Sequence, residues 1–207
     1  MKITWKEAVQ DRHFLLWLGL SCFSLLMLIL FAPYFFREII GPKKGLVLND
    51  WLLSHLNPSD WSIAIFVLIY STIALTLFTH FRNPHIMVVG LATYCGVTWL
   101  RLFAMYIFTL EAPPGMIYLS DPFLSIVVYP QTFAKDLFFS GHISTMMVLI
   151  FIEPVKILKW IKIAATVAAA ILILIQHVHY SVDVIFAPLF TYLIHRLVIQ
   201  SKKPQIS

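Results

Sequence analysis

The 23 residues from Phe14 to Phe36, FLLWLGLSCFSLLMLILFAPYFF, carry no charge. A helix of that length covers the hydrocarbon of a bilayer, which takes about 20 apolar residues. Further apolar runs follow at Trp61–Phe81, Ile86–Phe108, Leu137–Ile152, Ile157–Val178 and Val182–Val198. With 60% hydrophobic and 12% charged residues in a chain of 207, the bilayer has to serve as part of the solvent. The expectation is a single all-α integral membrane domain, 1–207, built as a bundle of six transmembrane helices. The first run is too long for the apolar region of a secretory signal and lacks a small-residue cleavage site, so it reads as a span.

The breaks between runs are punctuated. Gly41-Pro42 follows the first, Asn83-Pro84 the second, Pro113-Pro114-Gly115 the third and Glu153-Pro154 the fourth. Gly45–Leu56 mixes apolar and polar residues in a helix-like pattern too short to span, and reads as an interfacial helix. Cys22 and Cys95 both lie inside apolar runs, so no disulfide framework is expected. The net charge of +5 comes from cations scattered around the spans, which suits lipid headgroups and argues against nucleic acid as a partner.

Six alternating spans place Lys2, Lys6, Arg12, Arg82, Lys156, Lys159, Lys162, Arg196, Lys202 and Lys203 on one side. Arg37, Lys43, Lys44 and Lys135, with Arg101 inside the third span, fall to the other. That bias of ten to five predicts a multi-pass protein with both termini cytoplasmic. The loop Glu111–Asp136 and the start of the fourth helix then face the non-cytoplasmic side.

Ionisable groups inside spans are costly and default to function. Two stretches place such groups at one depth: FFSGHIST, Phe138–Thr145, and HVHYSVDV, His177–Val184. His179 and Asp183 are four residues apart, so on a helix the carboxylate reaches the imidazole. His142 opens the fourth helix on the same side. His177, two residues from His179, points elsewhere and reads as structural. His13, His55, His80, His85 and His195 sit near span ends or in loops and read as interfacial.

These residues carry a resemblance. Asp136-Leu137-Phe138-Phe139-Ser140-Gly141-His142-Ile143 and His179-Tyr180-Ser181-Val182-Asp183-Val184 resemble the paired motifs of the type 2 phosphatidic acid phosphatase superfamily, specifically its sphingomyelin synthase-related branch. Arg101–Met116, RLFAMYIFTLEAPPGM, is similar to a third motif of that branch, interrupted at Glu111. Asp50 echoes another weakly. The Lys-led first motif of the better-known phosphatases and their Arg before the second His are both missing.

The resemblance implies a lipid phosphotransferase or phospholipase C-like enzyme that cleaves phospholipid head groups. His179 would be the nucleophile, forming a phosphohistidine, with Asp183 fixing its tautomer. His142 would protonate the departing diacylglycerol oxygen and then deprotonate the acceptor, a ceramide-like or diacylglycerol alcohol or water. Gly141 admits close backbone approach, and amides at the start of the fourth helix suit phosphate oxygens. Ser140, Asp136 and Tyr106 join the expected binding group through their motifs. Arg101 has two open readings, a phosphate or Asp136 partner and a snorkelling or structural cation. No cofactor and no metal is expected; partners are phospholipid, lipid alcohol and bilayer, with self-association left open. The alternatives are a phosphatidic acid phosphatase, a zinc enzyme using His142, His179 and Asp183, and a membrane transporter.

Overall fold

The computed structural model describes residues 3–119 and 135–202. The middle of the expected Glu111–Asp136 loop, and Lys2 and Lys203 from the charge tally, lie outside the described residues. Among those described, seven α-helices follow in order: α1 Trp5–Ala8, α2 Arg12–Tyr34, α3 Ser62–His80, α4 Pro84–Ile107, α5 Gly141–Phe151, α6 Lys156–Ile175 and α7 Ser181–Lys202. Local chemistry sets most starts. Thr4 and Glu7 form a capping box on α1. Asp11 caps α2, and Asn83 with Pro84 opens α4. Beyond Pro33, α2 continues as a π-helical stretch, Phe35–Ile40, and ends at Gly41.

Five helical segments are long and apolar enough to cross a membrane: Arg12–Ile40, α3, α4, α6 and Ser181–Ser201. The fourth expected span is shorter. Of Leu137–Ile152 only the 11 residues of α5 are helical, about 16 Å, roughly half the hydrocarbon thickness. Helix α5 starts late because Ser140 caps it, its hydroxyl accepting from the Ile143 amide. Leu137–Phe139 stay outside the helix, and the Phe139 carbonyl accepts from Arg101 Nε instead.

The interfacial helix expected over Gly45–Leu56 also gives way. It reduces to a 3₁₀ turn, Leu53–His55. Leu46 pairs with Leu110 in an isolated bridge, and the Asp50 carboxylate takes the Leu52 and Leu53 amides. Local side-chain bonds of that kind compete with helix continuation.

Short α5 is the axle of the bundle. Helices α3, α4, α6 and α7 all pack on it, while α2 lies outside and packs on α4. Ile143 and Met146 of α5 join Ile65, Phe66, Val97, Ile173 and Ala187 in the main core. The start of α3, the end of α4, the start of α5 and the α6–α7 turn share one end, joined by bonds such as Trp61 N to Gln176 Oε1 and Ser140 N to the Asp183 carbonyl.

The opposite end holds α1, where Trp5 Nε1 donates to the Phe81 carbonyl at 2.7 Å. The α5–α6 turn is there too, and Phe151 stacks on His195 of α7. At this end the structure reverses three sequence expectations. Glu153 Oε2 is 2.5 Å from Lys162 Nζ and 2.9 Å from His80 Nε2, and all three residues are buried. Lys162 therefore neutralises a carboxylate and does not reach headgroups, which leaves nine basic residues on that side of the tally. His80 and His195 are likewise buried.

Candidate active site

Helices α6 and α7 meet in a tight turn, His177–Tyr180. His177 closes α6 at φ 56°, the left-handed position usually left to glycine. Its Nδ1 donates to the Pro114 carbonyl at 2.8 Å, which ties down the loop after α4. Tyr180, fully buried, donates its hydroxyl to the Glu111 carbonyl and accepts from the Leu48 amide. The first residue of α7 is capped from far away: Asp50 accepts from the Ser181 amide at 2.6 Å and from its hydroxyl at 3.0 Å. Burial, the largest single influence on Asp50, raises its pKa. Its bonds to Ser181, Leu53 and Leu52 together outweigh that and hold the carboxyl below the usual range.

His179 sits inside this turn. Its Nδ1 lies 3.3 Å from Asp183 Oδ2, an oxygen that also accepts the Tyr180 amide at 3.0 Å. In the neutral ring a carboxylate partner places the proton on Nδ1, which leaves Nε2 with the lone pair. Asp183 is in the first turn of α7 and is wholly inaccessible. Its carbonyl accepts from the Ser140 amide at 3.1 Å, which locks the start of α5 to the start of α7.

That lock brings His142, the second residue of α5, beside His179. The ring centroids are 6.0 Å apart and the planes cross at 66°. On its other side His142 meets Phe66 edge to face. His142 and Asp136 both border a small cavity of about 80 Å³ that reaches His179 and a larger one of about 450 Å³ between α3, α4 and α5. The larger volume is within the usual range for small-molecule sites.

Arg101 supplies the positive charge at the head of that cavity. Only 8% exposed, it donates Nε to the Phe139 carbonyl at 2.7 Å and Nη2 to Asp136 Oδ1 at 2.5 Å. Its guanidinium lies flat over Gly141. A Cβ on Gly141 would stand 2.5 Å from Nη1 and 2.6 Å from Cζ, so residue 141 has to lack a side chain for Arg101 to be where it is.

The structure thus brings His142, His179, Asp183, Arg101, Asp136 and Gly141 into one neighbourhood. Ser140 sits beneath them as the fully buried cap of α5. Tyr106 stands apart: it is 53% exposed, and Lys43 Nζ lies 4.4 Å above its ring. Glu111 also has another engagement. It pairs with Lys135 at 2.9 Å and accepts the Gly45 amide; the Lys135 bond first and that amide second hold its carboxyl below the ordinary range.

Sequence reasoning missed the supports of this turn. Gln176, fully buried, accepts from the Trp61 amide and donates to Ser62 Oγ and the Ile117 carbonyl. The signal was available, because an amide and a tyrosine in an apolar span need partners.

Residues 135–200 match the family model described as PAP2 superfamily C-terminal, a stretch that runs from Lys135 through the second His motif to the last turns of α7. No curated protein matches the chain. The family match supports the type 2 phosphatidic acid phosphatase superfamily, and with it lipid phosphatase or phosphotransferase chemistry in general, without reaching any one branch.

Proposed function

We propose that the protein is a membrane lipid phosphotransferase or phospholipase C-like enzyme that removes the head group of a phospholipid through a phosphohistidine. The observation that carries this reading is the pairing of two imidazoles, ring centroids 6.0 Å apart, with the Asp183 carboxylate on Nδ1 of His179. His179 Nε2 attacks phosphorus, and the phosphorus–oxygen bond to diacylglycerol breaks. The departing oxygen takes its proton from His142. Asp183 balances the positive charge that forms on the His179 ring.

In the second half-reaction His142 accepts the proton of a lipid alcohol or of water. That oxygen attacks phosphorus, and His179 leaves with its lone pair restored. Arg101 and the N-terminal end of α5 suit the negative oxygens of the transition state. The basic bias of the opposite end favours a site on the non-cytoplasmic side.

The test uses purified protein in nanodiscs holding phosphatidylcholine, phosphatidylethanolamine, phosphatidylglycerol and phosphatidate, with and without ceramide, read by mass spectrometry. The reading expects diacylglycerol to appear as one phosphodiester lipid falls. Consumption of phosphatidate alone, with release of inorganic phosphate, would replace it with a monoester phosphatase.

A further inference from the structure

The space beneath Arg101 does not end at the polar site. A second cavity of about 280 Å³ continues it, sharing Ile73, Tyr94, Thr145 and Val148 with the upper one. On α4 the walls of the two are Arg101, Thr98, Val97, Tyr94, Leu91, Gly90 and Met87, a stripe in the i, i+3, i+4, i+7 pattern of one helix face. Helices α3 and α5 present matching stripes, so the two cavities form one groove running along the bundle between α3 and α4 over α5. Its upper end carries Arg101, Asp136 and His142, and its lower end is almost wholly apolar.

The groove has a built floor. Ile152 closes it against Gly90, where a Cβ would stand 2.9 Å from Ile152 Cδ1. The next residue is Glu153, locked in its buried cluster with His80 and Lys162. An alkyl chain gains nothing by entering that cluster, because ion-paired groups offer it no apolar contact and displacing them strands charge.

We propose that Gly90 and Ile152 set the length of acyl chain that this site holds. The inference rests on the phospholipid reading above and adds the determinant of chain selectivity. From Arg101 to the floor at Gly90 the stripe runs 11 residues, about 16 Å of helix at ~1.5 Å each. An extended chain advances roughly 1.25 Å per carbon, from a ~1.5 Å bond and a near-tetrahedral angle, so the groove takes about 13 carbons. Longer chains turn out into the bilayer, where they lose close packing without gaining affinity.

Two substitutions act in opposite directions. Gly90→Leu fills the lower cavity, and it lowers kcat/KM for long-chain substrate about tenfold relative to short-chain substrate, the size of discrimination that apolar pockets give. Ile152→Ala opens the floor and moves the optimum to longer chains. Independently of turnover, phosphatidylcholine carrying a photoactivatable diazirine near the chain end labels Met87, Leu91 or Ile152 in the unaltered protein. A diazirine near the ester labels Ile69 or Val97, which line the upper cavity alone. Gly90→Leu abolishes the deep labels and keeps the shallow ones.

Deep probes that label the outward residues Ile63, Phe78 or Phe103 as strongly as the groove overturn the proposal, as do unchanged length profiles in both variants. Correct labelling without any turnover leaves the groove standing and removes the phospholipid-cleaving reading. Turnover with labels outside the groove does the reverse.

Discussion

Replacing Gly141 by Ala adds one methyl group at a point where the geometry leaves no space. The new Cβ would lie 2.5, 2.6 and 2.8 Å from Nη1, Cζ and Nη2 of Arg101, whereas carbon contacts relax only near ~3.5 Å. The guanidinium has to retreat by about 1 Å, and its bonds to Phe139 and Asp136 cannot both follow. Losing one bond to a buried charged group costs about 1.5–3 kcal/mol, and helix propensity returns at most about 1 kcal/mol, so the net loss is about 1–2 kcal/mol. Turnover should suffer more, about a hundredfold, because a 1 Å misplacement of a charge-stabilising group has effects of that size. The control is Gly19→Ala, a glycine in α2 with nothing within 4 Å of the added Cβ, which should be neutral or slightly stabilising. Thermal unfolding in nanodiscs and turnover of an activated phosphodiester measure the two effects. In an Arg101→Met background the stability cost of Gly141→Ala should vanish, as a double-mutant cycle would reveal. Equal behaviour of the two glycine variants, or no coupling to residue 101, refutes the reasoning.

Asp50→Asn should weaken the cap on α7 by about 1–2 kcal/mol in thermal unfolding, the scale of lost bonds to a charged group. The depressed Asp50 pKa also fixes a sign: its stabilisation is complete above the unfolded carboxyl value of about 4 and is lost as pH falls through the folded value. The acid limb of the stability profile should therefore flatten in the variant. Lys162→Met leaves Glu153 with His80 as its remaining cationic-type partner and should cost about 3–5 kcal/mol, whereas Lys162→Met with Glu153→Gln recovers much of it; a double variant no better than the single one defeats the pairing. Cysteine placed at Gly115 should react with an impermeant reagent from the non-cytoplasmic side, and labelling only from the cytoplasm reverses the proposed orientation.

The apolar runs were legible because a chain crossing hydrocarbon has few ways to satisfy its backbone. Ser140, expected in the binding group, is the cap of α5, and Ser before Gly-His at the edge of an apolar run carries that helix-start signal. The length of α5 was not legible. Leu137-Phe138-Phe139 is as apolar as any helix, and the far-off Arg101, needing a carbonyl for its Nε, joins the Ser140 cap in keeping Phe139 out of one. His179 and Asp183 could be paired from their four-residue spacing, whereas their approach to His142 depends on the Ser140–Asp183 lock. Asp50 and Ser181 are 131 residues apart, and His80 and Glu153 are 73 apart. Nothing local marks such partners, because each is satisfied only by the packed register of several helices. Arg101 was left between phosphate partner and structural cation; the fold gives it Asp136 and a wall of the cavity together.

The most direct measurement of the central claim is the residue that carries phosphorus during turnover. A nitrophenyl ester of phosphocholine, quenched during its burst and digested under alkaline conditions, should yield an acid-labile adduct on His179. His142→Ala should still accumulate it, because the activated leaving group needs no proton, and Asp183→Asn should form it slowly, with Nδ1 no longer held by a carboxylate. His179→Ala should form none. An adduct on His142, or undiminished turnover by His179→Ala, would contradict the account.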